Sequence, residues 1–108
     1  MSKRRDAFAA LADPTRRSIL EALREQPTLT AGEIAARFPR ISRAAVSKHL
    51  RVLRQARLVR ARERGREWHY RLDAGPLGEI YAEWLMGFAP LWEESLARLK
   101  RQVEEGPA

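Results

Sequence analysis

The sequence contains no cysteine, and this absence removes several kinds of chemistry at once. Without thiols there is no disulfide framework, no thiolate nucleophile and no thiolate ligand for a metal ion. Histidine is also scarce, because the chain has only His49 and His69. A transition-metal site needs several convergent imidazole or thiolate ligands. We therefore predict no metal site and no cofactor.

Long apolar runs are absent as well. No stretch is long and apolar enough to cross a membrane, and the residues after Met1 form no apolar signal core. These features predict a cytoplasmic protein without a membrane partner. The 108 residues suffice for one compact domain with a modest core, and we expect a single domain over residues 1–108.

Positive charge is abundant and unevenly distributed. The net charge is +7, yet residues 1–73 hold 18 Lys and Arg against 8 Asp and Glu, while residues 74–108 hold 3 against 6. Residues 37–71 alone hold 12 basic against 2 acidic side chains. Such a dense basic block repels itself unless it faces a polyanion, so it indicates a nucleic-acid partner rather than a merely solvated face.

The first half of the chain is typical of a helix-turn-helix, which we place at about residues 30–56. Asp13-Pro14 is a helix start, and Thr30 with Glu33 forms a capping box that opens a short helix before Pro39. Ser42 is the predicted N-cap of the next helix, which runs to about Ala56. Its apolar residues share one face, and the opposite face carries basic and small polar residues.

A hairpin and a helical region follow. Residues 58–63 and 67–72 alternate apolar and polar side chains around Arg64-Gly65-Arg66, which predicts a two-stranded wing at about 58–72 with a basic tip. Residues of about 76–104 show helical apolar spacing that Gly87 and Pro90 interrupt, so we expect a kink or break near 87–91. The predicted fold class is mainly α with a small β-hairpin, a winged helix-turn-helix with added N- and C-terminal helices.

Three segments in this order resemble the ArsR family of bacterial repressors. They are Leu11–Leu20 (LADPTRRSIL), Ser42–Leu53 (SRAAVSKHLRVL) and Leu58-Val59 leading into Arg64–Leu72 (RGREWHYRL), and the resemblance covers roughly residues 5–73. The resemblance implies a homodimer that binds an inverted-repeat operator in double-stranded DNA and blocks transcription, often of its own gene.

The family reads DNA mainly from the start of the recognition helix. Carried over to this chain, the DNA-binding residues are Ser42, Arg43, Ala44, Ala45, Ser47, Lys48, His49 and Arg51. The assignment agrees with physical expectation, because Arg can bind guanine O6 and N7 together and small alanines let a helix approach the base edges. Ser47 can also be merely solvent-facing. His49 has two open interpretations, a phosphate contact or a hydrogen-bonded, half-buried packing position.

At the wing tip, Arg64 and Arg66 are predicted to reach the adjacent minor groove or its phosphates. The alternative is that they only keep the hairpin soluble.

Many members of this family sense metal ions, and here the sequence departs from them. One site type uses paired cysteines on the third helix, where residues 31–38 have none. Another uses Asp, His and Glu on the last helix, but both histidines lie elsewhere, and Glu79, Glu83, Glu93 and Glu94 alone are poor ligands for a transition metal. We predict that no regulatory metal is bound.

An aromatic and apolar stripe near the C-terminus is the predicted dimer interface, joined by the first helix. Its members are Phe8, Leu11, Tyr81, Trp84, Leu85, Phe88, Leu91 and Trp92. We favour a subunit interface over a pocket for an apolar inducer, because a small monomer rarely exposes so much aromatic surface. A small-molecule inducer has no support in the sequence.

Two other functions compete with DNA-binding regulation. We predict no enzyme, because Ser47 and His49 are two residues apart on a helix and point in different directions. A winged-helix module that binds protein or RNA is the alternative, since the fold alone does not fix function. No residue distinguishes a repressor from an activator.

Overall fold

The computed structural model describes residues 3–105 and contains six helices and three strands in that range. In chain order they are α1 (Lys3–Leu11), α2 (Pro14–Glu25), β1 (Leu29–Thr30), α3 (Ala31–Ala36), α4 (Arg43–Gln55), β2 (Val59–Arg64), β3 (Glu67–Leu72), α5 (Ala74–Met86) and α6 (Ala89–Glu104). The chain divides into two compact units, Met1–Leu77 and Gly78–Ala108, called here the N-terminal and C-terminal units. The expectation of a single domain stays a prediction.

The predicted helix starts are confirmed at three capping sites. The Asp13 carboxylate accepts hydrogen bonds from the backbone amides of Thr15 (2.8 Å) and Arg16 (3.1 Å), with Pro14 as the first residue of α2. Thr30 and Glu33 form the predicted capping box of α3, and Ser42 caps α4. Since each cap satisfies amides that a helix leaves unpaired, these three helices begin where their side chains dictate.

The N-terminal unit has one apolar core to which most of its elements contribute. The side chains that are almost completely buried are Ile19, Ile34, Val46, Leu50, Leu53 and Leu58. The α1 helix contributes Ala7 and Ala10 to this core, while Phe8 and Leu11 remain half-buried. The apolar spacing of the sequence favours a first helix at residues 5–12 with Ala12 on its apolar face, but α1 ends at Leu11 and Ala12 is exposed.

The wing belongs to a three-stranded antiparallel sheet with the order β1-β3-β2. The predicted hairpin is confirmed, with Arg64 opposite Glu67 next to the turn and Val59 opposite Leu72 at the base. The sequence did not predict β1, whose two residues pair with Tyr70 and His69 of β3. A strand of two residues is too short to show an alternating pattern, so only its pairing with β3 identifies it.

The C-terminal end of α4 has a left-handed residue that is not glycine. Arg57 has φ of 62°, its amide donates to the Arg54 carbonyl, and the Leu58 amide donates to the Leu53 carbonyl, both at 3.0 Å. These two bonds are those of a Schellman motif, in which glycine usually occupies the left-handed position. Arginine there has a conformational cost of roughly 1 kcal/mol.

Arg57→Gly is therefore expected to leave stability unchanged or raise it by up to about 1 kcal/mol, because relief of strain exceeds the added entropy of the unfolded chain. Urea unfolding at matched protein concentration measures this. Gln55→Gly, inside the same helix, is the control and should destabilise by about 1 kcal/mol. An equal loss of stability in Arg57→Gly and Gln55→Gly would show that the Arg57 backbone is not strained.

The C-terminal unit contains a helix break where the sequence predicted a kink or break. The α5 helix ends at Met86 and α6 begins at Ala89, with Pro90 in its first turn. Because proline lacks an amide hydrogen and fits a first turn, a new helix starts here in place of a bent one. No helix within residues 3–105 combines the length and apolarity that a membrane span requires.

The two helices of the C-terminal unit bury none of their described side chains. Large apolar side chains on α5, α6 and the link between them are 40–74% exposed, and we call this set the C-terminal apolar face: Tyr81, Trp84, Met86, Phe88, Leu91, Trp92, Leu96, Leu99 and Val103. Leu85 is half-buried. Three rings contact in series, with Phe88 packed edge-on against Trp84 (centroids 5.0 Å apart) and stacked with Trp92 (6.3 Å).

Candidate DNA-binding surface

The α3 and α4 helices form the helix-turn-helix, and the packing of α4 determines which of its faces is available. Ser42 accepts a hydrogen bond from the Ala45 amide (3.0 Å) and starts α4 at the predicted residue. The side chains of Val46, Leu50 and Leu53 are at most 1% exposed. Because these three share one side of a 3.6-residue helix, the opposite side faces solvent.

The solvent-facing side of α4 contains most of the predicted recognition residues. Its exposed members are Arg43, Ala44, Ser47, Lys48 and Arg51, with Ser42 exposed at the cap and Ala45 half-buried beside them. The helix thus presents three cations, one hydroxyl and two methyl groups to solvent, spread over about half of its circumference. No acidic residue lies in α4, so this surface is positive throughout.

Arg43 lies at the junction between the two helices. A Cβ atom built on Gly32 of α3 would be 3.5 Å from a terminal guanidinium nitrogen of Arg43, so this side chain rests along the start of α3. Within residues 3–105, the Arg43 side chain has no hydrogen bond or ion pair. A long side chain held this weakly can extend toward a ligand at little cost.

His49 is half-buried and contacts the N-terminal helices instead of standing fully in solvent. A terminal nitrogen of Arg16 lies 3.3 Å from His49 Nδ1, and Arg16 also donates to the carbonyls of Ala9 and Ala10 at the end of α1. A guanidinium can only donate, so Nδ1 accepts and the neutral ring carries its hydrogen on Nε2. Of the two interpretations of His49, its position agrees with hydrogen-bonded packing. Its assignment to the DNA contact stays a prediction.

The Asp13 carboxylate completes this cluster of charged groups. Desolvation raises the pKa of Asp13, but amide hydrogen bonds from Arg16 and Thr15, with a smaller effect of the Arg16 charge, hold it below its ordinary value. Asp13 therefore stays ionised through the neutral range. The stabilisation that it gives α2 is present above its unfolded pKa and is lost as the pH falls through the folded value.

The wing tip is a two-residue turn between Arg64 and Glu67. Gly65 has φ of 64° and is the first residue of the turn, a conformation that glycine adopts without strain. Arg64 and Arg66 are both exposed on either side of it. The predicted basic tip is thus present, and its contact with DNA stays a prediction.

The sequence did not indicate the contact that links the wing to α4. The Arg54 guanidinium lies over the Trp68 ring, 5.4 Å from its centroid, and joins the last turn of α4 to β3. Trp68 is 42% exposed, so the cation–π contact lies at the surface. An Arg and a Trp fourteen residues apart give no sequence signal that they will meet, because only the strand register brings them together.

The surface is rich in basic and small polar side chains. Within the described part of the chain, no three His, Cys, Asp or Glu side chains come together in a group that could hold a metal ion. Over the same residues, every buried side-chain nitrogen or oxygen has a hydrogen-bond partner. The recognition helix, the basic wing and their order along the chain define a winged helix-turn-helix protein of the DNA-binding class.

Comparisons with known proteins agree with this class and refine it. A family model described as a helix-turn-helix domain matches residues 11–62. The chain is 49% identical over 74 residues to the HTH-type transcriptional regulator Rv2034 of Mycobacterium tuberculosis, a match that covers 68% of this chain and 67% of that protein. It is 36% identical over 83 residues to the transcriptional repressor SdpR of Bacillus subtilis, covering 77% and 89%.

A solved structure of a transcriptional regulator has a similar fold. The crystal structure of the ArsR family transcriptional regulator RHA00566 superimposes with a TM-score of 0.74 at 30% identity, covering 84% of this chain and 91% of that one. The chain belongs to the ArsR family of transcription regulators, and it lacks the metal-ligand motifs noted above. It is a DNA-binding transcriptional regulator and not an enzyme.

Proposed function

We propose that this regulator is a cytoplasmic homodimeric repressor that reads an inverted-repeat operator with the exposed face of α4. One observation carries the proposal. The side of α4 opposite its buried leucines presents Lys48 and Arg51 with Ser47 at its edge, Arg43 is exposed in the first turn, and no acidic residue lies on the helix. The major groove admits a helix of this diameter, and its N-terminal residues then reach the base edges.

The residues of this face have separate roles in the proposal. Arg43 binds guanine through O6 and N7, Ala44 and Ala45 permit close approach and contact a thymine methyl, and Lys48 and Arg51 bind phosphates. Ser42 and Ser47 donate hydroxyl hydrogen bonds to phosphate or base edges. His49 contacts phosphate only through the edge of the ring that faces away from Arg16.

The C-terminal apolar face supports the homodimer. Nine large apolar side chains exposed between 40% and 74% form more apolar surface than small soluble monomers usually present. In the proposed dimer a second copy covers this face, together with the half-buried Phe8 and Leu11 of α1. A two-fold dimer whose recognition helices lie one DNA turn apart, about 34 Å, would match an inverted repeat.

Repression is supported by the relatives, one of which is named a transcriptional repressor. A dimer seated on an operator that overlaps a promoter blocks polymerase without any further activity. No regulatory metal is part of this proposal, because within residues 3–105 the acidic residues of the last helices have no histidine near them in sequence. We propose no small-molecule inducer.

Selection from random duplex DNA tests the function. The purified protein should recover an inverted repeat, bind it at about 10⁻⁸ M or tighter, and lose affinity steeply as salt rises. A promoter that carries the recovered operator should give fewer transcripts in vitro when the protein is added. Salt-insensitive binding without any motif would instead favour an interaction module for protein or RNA, and more transcripts would indicate an activator.

Arg64→Ala tests the wing. If Arg64 binds phosphate or the minor groove, the variant should bind all duplexes more weakly, and the slope of log affinity against log salt should flatten by about 0.9 for each phosphate that the variant no longer neutralises. The control is Arg24→Ala. Arg24 is exposed in the last turn of α2, so this variant loses the same charge at a position outside α4 and the wing. Equal slopes for both variants would leave Arg64 with only a solubility role.

A further inference from the structure

The outward side of the wing sheet carries a row of cations, of which only Arg64 at the wing tip takes part in the proposed operator contact. Along β2 the side chains alternate, so Arg60, Arg62 and Arg64 lie on the side opposite Val59, which is buried in the core. On β3, His69 is paired with Arg62 and Arg71 with Arg60, and both share that outward side. We call these residues the basic sheet face: Arg60, Arg62, Arg64, His69 and Arg71.

The protein neutralises this face only in part, and Glu67 lies on the same side of the sheet, opposite Arg64. Arg60 pairs with Asp73 at 2.8 Å, and His69 Nε2 lies 4.0 Å from Glu67. Within residues 3–105, no carboxylate lies within ion-pair distance of Arg62 or Arg71. Arg60 and Arg71 are also directly opposite each other across the two strands, and like charges in that position destabilise a sheet. Asp73 offsets part of this repulsion at Arg60, and an anion bound beside Arg71 would offset the rest.

The same side chains line a concave surface. A cavity of about 370 Å³ is bordered by Thr28, Ala61 and the whole basic sheet face. Four arginines and a threonine thus border it, and guanidinium and hydroxyl groups are donors that bind phosphate oxygens. The arginines repeat every second residue, about 6.7 Å along β2, so they form a row rather than a single point of charge. A row of charges is suited to a polyanion whose phosphates also repeat regularly.

We propose that the basic sheet face binds backbone phosphates of duplex DNA that flanks the operator. This inference rests on the proposed function, in which the wing tip reaches the DNA beside each half-site. Arg60 lies four residues back from Arg64, about 13 Å from the tip at 3.3 Å per residue. In this proposal the flanking DNA bends toward the wing, which brings its phosphates to Arg60 and Arg71. The additional ion pairs between arginines and phosphates offset the elastic cost of that bend.

The test compares two duplexes that share the selected operator. One ends at the inverted repeat, and the other continues for about two further helical turns, roughly 20 bp, of unrelated sequence on each side. The wild-type protein should bind the long duplex about tenfold more tightly at low salt, with a steeper salt dependence. The double variant Arg62→Ala/Arg71→Ala should lose this advantage while still binding the short duplex with the same sequence preference.

Two control variants make the result specific. Arg24→Ala/Arg101→Ala removes two exposed arginines from α2 and α6 and should keep the tenfold ratio. Arg62→Lys/Arg71→Lys retains both charges and should keep most of the tenfold affinity ratio. This variant tests the inference even if the alanine variant folds poorly. Equal wild-type affinity for the two duplexes, or an unchanged ratio in the alanine variant, would overturn the inference while the operator binding of the proposed function stands. Absence of any operator binding would instead count against the proposed function.

Discussion

Leu99→Glu is expected to convert the protein from dimer to monomer. Leu99 lies on α6 within the C-terminal apolar face, where Trp92, Leu96, Leu99 and Val103 follow at spacings of four, three and four. A carboxylate placed in an apolar interface loses its hydration without gaining a partner, and a two-fold dimer contains the change twice. We expect a loss of about 3 kcal/mol or more, which raises the dimer dissociation constant at least about a hundredfold.

Sedimentation over a range of protein concentrations measures this shift. The leucine is 55% exposed within the chain, so the substitution should not disturb packing inside the unit. Ala97→Glu, two residues earlier and on the opposite side of the helix, adds the same charge and should stay dimeric. A Leu99→Glu protein that remained dimeric would place the subunit contact elsewhere, and the apolar face would need another partner.

Arg43→Ala is expected to remove sequence preference at one position in each half-site. Bidentate contact with guanine contributes about 1–3 kcal/mol of discrimination, so operator affinity should fall about 10-fold to 100-fold while affinity for unrelated duplexes changes little. The side chain is exposed at the start of α4, so its loss should not affect folding. Competition between the operator and single-base variants measures the preference.

Arg43→Lys separates charge from recognition. Lysine retains the positive charge but cannot form the planar two-bond contact, so this variant should keep the salt slope and lose most of the guanine preference. Arg24→Ala on α2 controls for net charge and should leave the preference unchanged. An Arg43→Ala protein with unchanged operator specificity would remove Arg43 from base readout and assign that task to other residues of α4.

Local chemistry made much of the fold predictable. Asp13, Thr30 with Glu33, and Ser42 each fix a helix start through bonds to residues at most three positions away, so the sequence is sufficient to locate them. The exposed face of α4 follows from the spacing of its buried residues in the same way. Gly65 marked the turn of the wing, because a tight hairpin needs a residue that tolerates positive φ.

What the sequence did not predict depends on contacts between distant residues. The β1 strand exists only through its pairing with β3, and Arg54 meets Trp68 only because of the register of the wing. His49 could not be assigned from its position on α4, since its partner Arg16 lies thirty-three residues earlier. The left-handed conformation of Arg57 was also hidden, because arginine gives no signal for a position that glycine normally marks.

Methylation interference on the selected operator tests the central claim most directly, since it reports which groove the protein occupies. If α4 of each protomer lies in the major groove, methylation of guanine N7 should block binding in two clusters about one helical turn, roughly 10 bp, apart on one face of the duplex. Adenine N3 methylation should interfere only beside them, where the wings reach the minor groove. Interference at minor-groove positions alone, or in one cluster alone, would contradict a dimer that reads DNA through α4.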